Sequence, residues 1–242
     1  MKIVKSISAV GVILVAVSIT LAHAEKVPAI FTGNGLEVAY NEHGLWNDTT
    51  IGQGLEYNGI PISYPGIPWQ QVSIAYNNIV QGQGNFSFYD WNLQVPVVGH
   101  TGGSGFGDIG STTVWNAGDL RIMKEESWLE EGKVMKIDVT VTNECCEDVK
   151  DFIFMHAVDS DQDQTFNGAY STLNGALPMQ SFAFSAGLYS GLTTSYGVCD
   201  RNKQDVGHTR WDSSPFAPFS TVLSLADDTM HIRHHEPLIN GW

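Results

Sequence analysis

Three aspartates at alternate positions, Asp159, Asp161 and Asp163, follow directly on the most apolar stretch of the chain, Phe152 to Val158. If the strand continued, it would project all three carboxylates to one side, about 7 Å apart. Charges so placed repel one another unless the chain curls around a hard cation. A loop of aspartate oxygens suits calcium, whereas zinc and copper favour nitrogen and sulfur. The expected cofactor is therefore calcium, with Asp159, Asp161 and Asp163 as ligands and Asn167, Asn174 and backbone carbonyls as further donors. The loop is not an EF-hand, because counting from Asp159 the sixth position is Gln164 and the twelfth Tyr170, where that motif has glycine and glutamate. The plain alternative is a solvated turn whose aspartates accept backbone N–H groups.

Other side chains offer weaker chemistry. His231, His234 and His235 lie in HIRHHE, but on a strand they divide between two faces and form no HExxH pair. His156 is a candidate general acid or base, weighed against a hydrogen-bonded core histidine, and His208 is the further ligand that a transition-metal site at HIRHHE would need. The glycine-rich stretch GHTGGSGFGDIG at 99–110 holds no nucleophile elbow. It also lacks the following helix that a dinucleotide site needs, and it reads as a loop or a set of close bends. Trp46 and Trp211 lie in loop-like settings where an aromatic face stacks on a sugar ring, so both are expected ligand-binding residues.

The elements that position these residues are strands. Trp69 to Tyr76 alternates apolar and polar, and Leu120–Leu129 with Val134–Thr142 reads as a hairpin. Phe152 to Val158, apolar on both parities, is a strand covered on both faces. Strands joined by turns, with almost no helical periodicity, predict an all-β antiparallel sandwich with long loops. The turn at 143–148 is expected to return the chain into the Phe152 strand beside the hairpin, and 221–226 with 230–236 to form a hairpin around Asp227-Asp228. Cys199 to Pro218 reads as a long irregular segment, and Asn240-Gly241-Trp242 suggests that a last strand lies beyond the sequence.

Lys2 and Lys5, an apolar run from about Ile7 to Leu21, and Ala22-His23-Ala24 before Glu25 form the pattern of a signal peptide over 1–24. The remaining residues 25–242 then make one exported domain, secreted, periplasmic or at the cell surface, with no membrane span after cleavage. The net charge of −14 becomes more negative when the two lysines leave, which excludes nucleic acid as a partner. An oxidising destination allows one disulfide from Cys199 to either Cys145 or Cys146; a chain this long also builds a core with all three reduced.

The order of PGIPW (65–69), VTVTN (139–143), VDSDQD (158–163) and STLN (171–174) resembles that of secreted bacterial β-sandwich and supersandwich domains. Such domains occur in surface proteins and carbohydrate-active enzymes. The resemblance implies the fold and assigns no catalytic residue. Three functions follow as expectations. The first is a calcium-stabilised binding or surface-assembly module whose partner is an extracellular polysaccharide or a surface protein. The second is a polysaccharide-acting enzyme, a hydrolase or lyase, using His156 or His208 beside aspartates. The third is a subunit that pairs edge strands with its neighbours.

Overall fold

The computed structural model describes residues 29–238, except 33–34, 42–43, 47–53, 64–69, 78, 84–91, 105–106, 130–132, 145–146, 178–180, 199–203, 210–215, 217 and 227. The expected signal segment, the three cysteines, Trp211 and the last four residues lie outside the described residues.

The described residues are mainly strands, in four antiparallel sheets, as the alternating patterns predict. The first sheet is a meander of β1 (Ala29–Thr32), β2 (Leu36–Tyr40), β3 (Leu55–Tyr57) and β4 (Ile60–Ser63). After β5 (Gln70–Tyr76) and β6 (Ile79–Gln83), a second meander forms from β7 (Asn92–Ser104), β8 (Gly107–Ala117), β9 (Leu120–Trp128) and β10 (Met135–Asn143). The chain then enters β11 (Val149–Asp159), turns through the four-residue α1 (Gln164–Asn167), and runs through β12 (Thr172–Leu177), β13 (Phe182–Ala186) and β14 (Thr193–Gly197). It ends with β15 (Gln204–Thr209), β16 (Ser224–Ala226) and β17 (Thr229–Leu238). The third sheet has the order β15-β17-β11-β5-β6 and the fourth β14-β13-β12-β16.

The core follows from this pairing. Residues paired across strands project to the same side of a sheet. Ile74 pairs with Phe154, Val72 with His156 and Val158 with Met230, so one face of the third sheet carries all of them. Toward β5 that face packs Val72, Ile74, Phe152 and Phe154 against Trp115, Leu120 and Ile122 of the second sheet. Toward β17, Met230 packs on Ala176 and Ala183 of the fourth. The first sheet closes one end, where Val38, Tyr40, Leu55 and Ile62 meet Trp46, Trp128 and Val158. Met155 and Ala157, on the opposite parity of β11, are also fully buried. The strand is therefore covered on both faces, as its composition demands.

Four local expectations are corrected. β11 does not lie beside the β9–β10 hairpin: it crosses to the third sheet and pairs with β5 and β17. The glycine-rich stretch is not a loop but the facing ends of β7 and β8, whose ladder shifts register three times, and bulges of that kind are where glycine is tolerated in a strand. The segment from Cys199 to Pro218 contains β15. β16 and β17 are not a hairpin, since β16 pairs with β12. For β11, β15 and β16 the partner is distant in sequence and so leaves no local pattern; for β7 and β8 the partner is adjacent, and the glycines hide the strand signal.

Candidate functional site

The chain leaves the third sheet at Asp159 and sinks: Asp159, Ser160 and Asp161 are 1 % exposed, and Gln162 and Asp163 are fully buried. This loop is thus buried rather than solvated, although Asp163 accepts backbone N–H groups as the plain alternative expects. Its backbone is anchored where Asp161 N–H donates to the Ile62 carbonyl at 2.9 Å. Asp163 occupies the N-cap position of α1, yet its side chain caps no helical N–H. The carboxylate instead reaches the turn between β13 and β14, accepting from Tyr189 N–H at 3.0 Å and Ser190 N–H at 2.8 Å. Burial pushes its pKa up, but the hydrogen bonds from Ser190, Tyr189 and Leu188 outweigh that and hold it below the usual carboxylate range. Gly187 makes the approach possible, because a Cβ there would overlap both Asp163 Oδ1 and Ser190 Oγ. Gln162 fastens the same hairpin, its amide donating to the Ser185 carbonyl at 3.0 Å and to Thr194 Oγ1 at 3.1 Å.

Among the described residues, no group of three His, Cys, Asp or Glu side chains stands together so as to hold a metal ion. For the acidic loop the reason is visible, since Asp163 is engaged with the hairpin. Asn174 is likewise engaged, donating to the carbonyls of Thr172 and Ala226. The remaining oxygen chemistry of the loop is that of Asp159 and Asp161 with Ser160 Oγ and Gln162 Oε1, and these last two atoms are buried without a hydrogen bond. Carboxylate, hydroxyl and amide oxygens are hard donors, whose chemistry suits calcium and not a soft metal.

A second buried polar cluster lies inside the sandwich, at positions where the alternation of β9 should place apolar residues. Leu120, Ile122, Lys124, Glu126 and Trp128 share the inward side of that strand, and all are buried. Lys124 Nζ lies 2.8 Å from Glu126 Oε1 and donates to the Gly44 carbonyl at 3.0 Å. The Tyr40, Trp46 and Trp115 rings surround it at 5.6 to 5.8 Å. Glu126 also accepts from Tyr40 Oη at 2.6 Å, Trp46 Nε1 at 2.9 Å and Ser111 Oγ at 3.1 Å. Burial pulls the Lys124 pKa down, and the Glu126 charge partly restores it. Burial, and then the same carboxylate, push the Tyr40 phenol well up. The alternation Leu-x-Ile-x-Lys-x-Glu-x-Trp could have disclosed this pair, since charges on the apolar parity of a strand must be satisfied inside.

Trp46, expected to offer its face to a sugar, is instead 4 % exposed within this cluster. Its backbone N–H donates to Gln70 Oε1 at 2.7 Å. That fixes the orientation of the Gln70 amide, whose nitrogen lies 2.6 Å from His156 Nε2 and donates to it. His156 is therefore the tautomer protonated on Nδ1, wedged edge-on between the Trp46 and Tyr196 rings. It is 3 % exposed.

His208, also buried, does stand beside an aspartate: Nδ1 lies 2.9 Å from Asp228 Oδ2 and Nε2 2.8 Å from the Val222 carbonyl. Ser224 Oγ donates to that same Asp228 oxygen. The three residue types are those of a hydrolase triad, but the serine bonds the carboxylate and the imidazole bonds a backbone carbonyl. No hydroxyl is thereby activated. The group is a junction that ties residues 220–224 to β15, next to the reciprocal backbone bonds of His208 and Ser220. No helix among the described residues is long and apolar enough to cross a membrane. Comparison with known proteins finds no matching family model and no matching curated protein.

Proposed function

We propose that this protein is an exported β-sandwich module for binding or surface assembly, stabilised by calcium at the loop from Asp159 to Asp163. The observation that carries the reading is the complete burial of that loop. Removing a carboxylate from water costs several kcal/mol (on the order of 5) unless charge or strong hydrogen bonds compensate it. The hairpin N–H groups compensate Asp163. Asp159 and Asp161, buried in the same loop as the Ser160 and Gln162 oxygens, offer oxygen donors of the hard type that calcium takes. The partner is an extracellular surface: a polysaccharide, for which the exposed Tyr170 and Tyr189 rings are open to stacking, or a protein. The binding reading stands ahead of a polysaccharide-acting enzyme because His156 and His208 are both buried in hydrogen-bonded packing.

Thermal unfolding in calcium and in chelator tests the reading. An ion that binds only the folded chain adds about 2.7 kcal/mol when present at a hundred times its dissociation constant, so the midpoint should rise clearly with calcium. In Asp161→Asn the rise should vanish. A midpoint that is the same in chelator and at millimolar calcium removes the ion from the proposal.

A further inference from the structure

β15 is an outermost strand of the third sheet, and residues 219–224 lie along its open side as a strap. Ser220 and His208 exchange backbone hydrogen bonds there, the His208 N–H donating at 3.0 Å and the Ser220 N–H at 2.8 Å. Phe219 sits on Gly207, where a Cβ would overlap both the Phe219 Cβ and the Ser220 carbonyl. The Arg233 guanidinium lies 4.3 Å from the centre of the Phe219 ring. On the other face of the strand the His208 imidazole, 1 % exposed, makes the remaining attachment. Both of its nitrogens face acceptors: Nδ1 lies 2.9 Å from the Asp228 carboxylate, whose same oxygen accepts from Ser224 Oγ, and Nε2 lies 2.8 Å from the Val222 carbonyl. A neutral imidazole carries one N–H, whereas these two contacts need two protons. With one proton gone, a ring lone pair faces an acceptor lone pair and that acceptor has lost its donor. The carboxylate is the stronger acceptor, so the remaining proton stays on Nδ1 and the Val222 carbonyl is the partner given up.

We propose that residues 219–224 are a proton-dependent strap, closed over the β15 edge while the His208–Asp228 pair holds two protons and released at Val222 when one leaves. Histidine is the side chain suited to such an exchange near neutral pH. Because the closed strap binds the extra proton, acid favours closure and alkali favours release. Release uncovers the N–H and C=O groups on the open side of β15, the kind of edge to which another strand can add.

Among the described residues, Asp228 is the charged partner of this ring. β12 and β13, which pack against β15, contain no titratable residue, and neither does β16. On β17, Met230 pairs with His208. His231 and Arg233 belong to the other parity, opposite Gly207 and Asp205, and Arg233 bonds the Asp205 carboxylate there. His234 stands at the far end of β15, opposite Gln204. None of these residues belongs to the acidic loop, so the strap and the calcium reading stand or fall separately.

Nuclear magnetic resonance on the purified protein, as a series from about pH 5 to pH 8, reads the ring and the strap together. At the acid end both imidazole nitrogens of His208 should carry protons, and the Ser220 and His208 amides should be protected from hydrogen exchange. As pH rises and Nε2 loses its proton, that protection, corrected for the intrinsic exchange rate, should fall roughly tenfold, as expected of an acceptor that loses its donor. The amides of β12 and β13 should keep theirs. In His208→Gln, which has no titrating ring, protection of the Ser220 amide should no longer depend on pH. Asp228→Asn keeps the ring but removes the charge that favours its second proton, so release should move to lower pH, and this variant carries the test if His208→Gln does not fold. The proposal is overturned by a ring with a single proton throughout the series, or by protection that stays flat or rises with pH in the unaltered chain. It is equally overturned by a pH dependence that survives in His208→Gln or that Asp228→Asn leaves in place.

Discussion

Replacing Glu126 by glutamine should cost far more stability than replacing its partner Lys124 by methionine. The carboxylate is the acceptor for four donors: the Lys124 ammonium, the Tyr40 and Ser111 hydroxyls, and the Trp46 indole. Glu126→Gln keeps the volume but leaves a buried cation facing a neutral amide, a loss of about 3 to 5 kcal/mol for an uncompensated interior charge. Lys124→Met takes a partner from both Glu126 and the Gly44 carbonyl, but Glu126 keeps three neutral donors, so the cost is smaller, at about 1 to 3 kcal/mol. The double variant should be less destabilised than Glu126→Gln alone, because the stranded charge is gone. Urea unfolding of the four proteins gives the comparison. The alkaline limb supplies a second sign. The Lys124 pKa is already depressed below 10.5, so between its folded value and 10.5 the unfolded chain binds the extra proton and stability rises with pH. Without Glu126 that window widens and the rise steepens, until Tyr40, whose pKa is raised above 10.0 in the fold, reverses it. If Glu126→Gln costs no more than Lys124→Met, or if the two effects add to within about 0.5 kcal/mol, the ion pair is not held as described.

Asp163→Asn should remove about 1 to 3 kcal/mol near neutral pH by exchanging a charged acceptor for a neutral one. Because the folded carboxyl titrates below its ordinary 3.8, that contribution is present above 3.8 and fades as pH falls through the folded value. The unfolding curves of the two proteins should therefore converge in acid, and a gap that stays constant there refutes the assignment. His208→Ala should free residues 220–224 from β15, at about 1 to 3 kcal/mol, chiefly for the buried Asp228 carboxylate that loses the imidazole. Hydrogen exchange reads it at the His208 and Ser220 amides, where unchanged protection would deny the junction its role.

What the sequence disclosed and what it hid divide along physical lines. Gln70–Tyr76 and Met135–Asn143 were legible as strands from their alternation, and β11 from its two-sided apolar run; alternation implied one covered face for Gln70–Tyr76, yet every residue of that strand is buried. The crossing of β11 to the third sheet and the docking of β16 on β12 were not legible, since pairing across dozens of residues depends on packing that no local window contains. The site was half legible. Asp159, Asp161 and Asp163 stood out by spacing, but strand alternation was the wrong geometry: the chain turns after Asp159 and sends Asp163 to the β13–β14 turn. Trp46 looked exposed because glycine and asparagine surround it, yet its indole is needed inside to serve Glu126.

The polar inner side of the fourth sheet follows from the acidic loop. Gln162 bonds the backbone of Ser185, whose hydroxyl continues through Thr172 to Asn174 and so to the β16 carbonyl of Ala226. This chain of bonds runs from a loop dense in buried carboxylates to the edge of the sheet, and only polar side chains can carry it. With Thr172, Asn174 and Ser185 committed inward, strand alternation leaves the leucines and phenylalanines of the same strands no place but the outer face. An apolar inner layer would have sealed the sheet against the core but left the loop without its hairpin anchor. The apolar outer face of the fourth sheet is thus the geometric consequence of holding the acidic loop. It follows that cutting the Gln162 link, as in Gln162→Leu, should cost about 1 to 3 kcal/mol by leaving the Ser185 carbonyl and Thr194 without their donor; urea unfolding measures it, and a variant as stable as the unaltered chain would show that loop and sheet are independent.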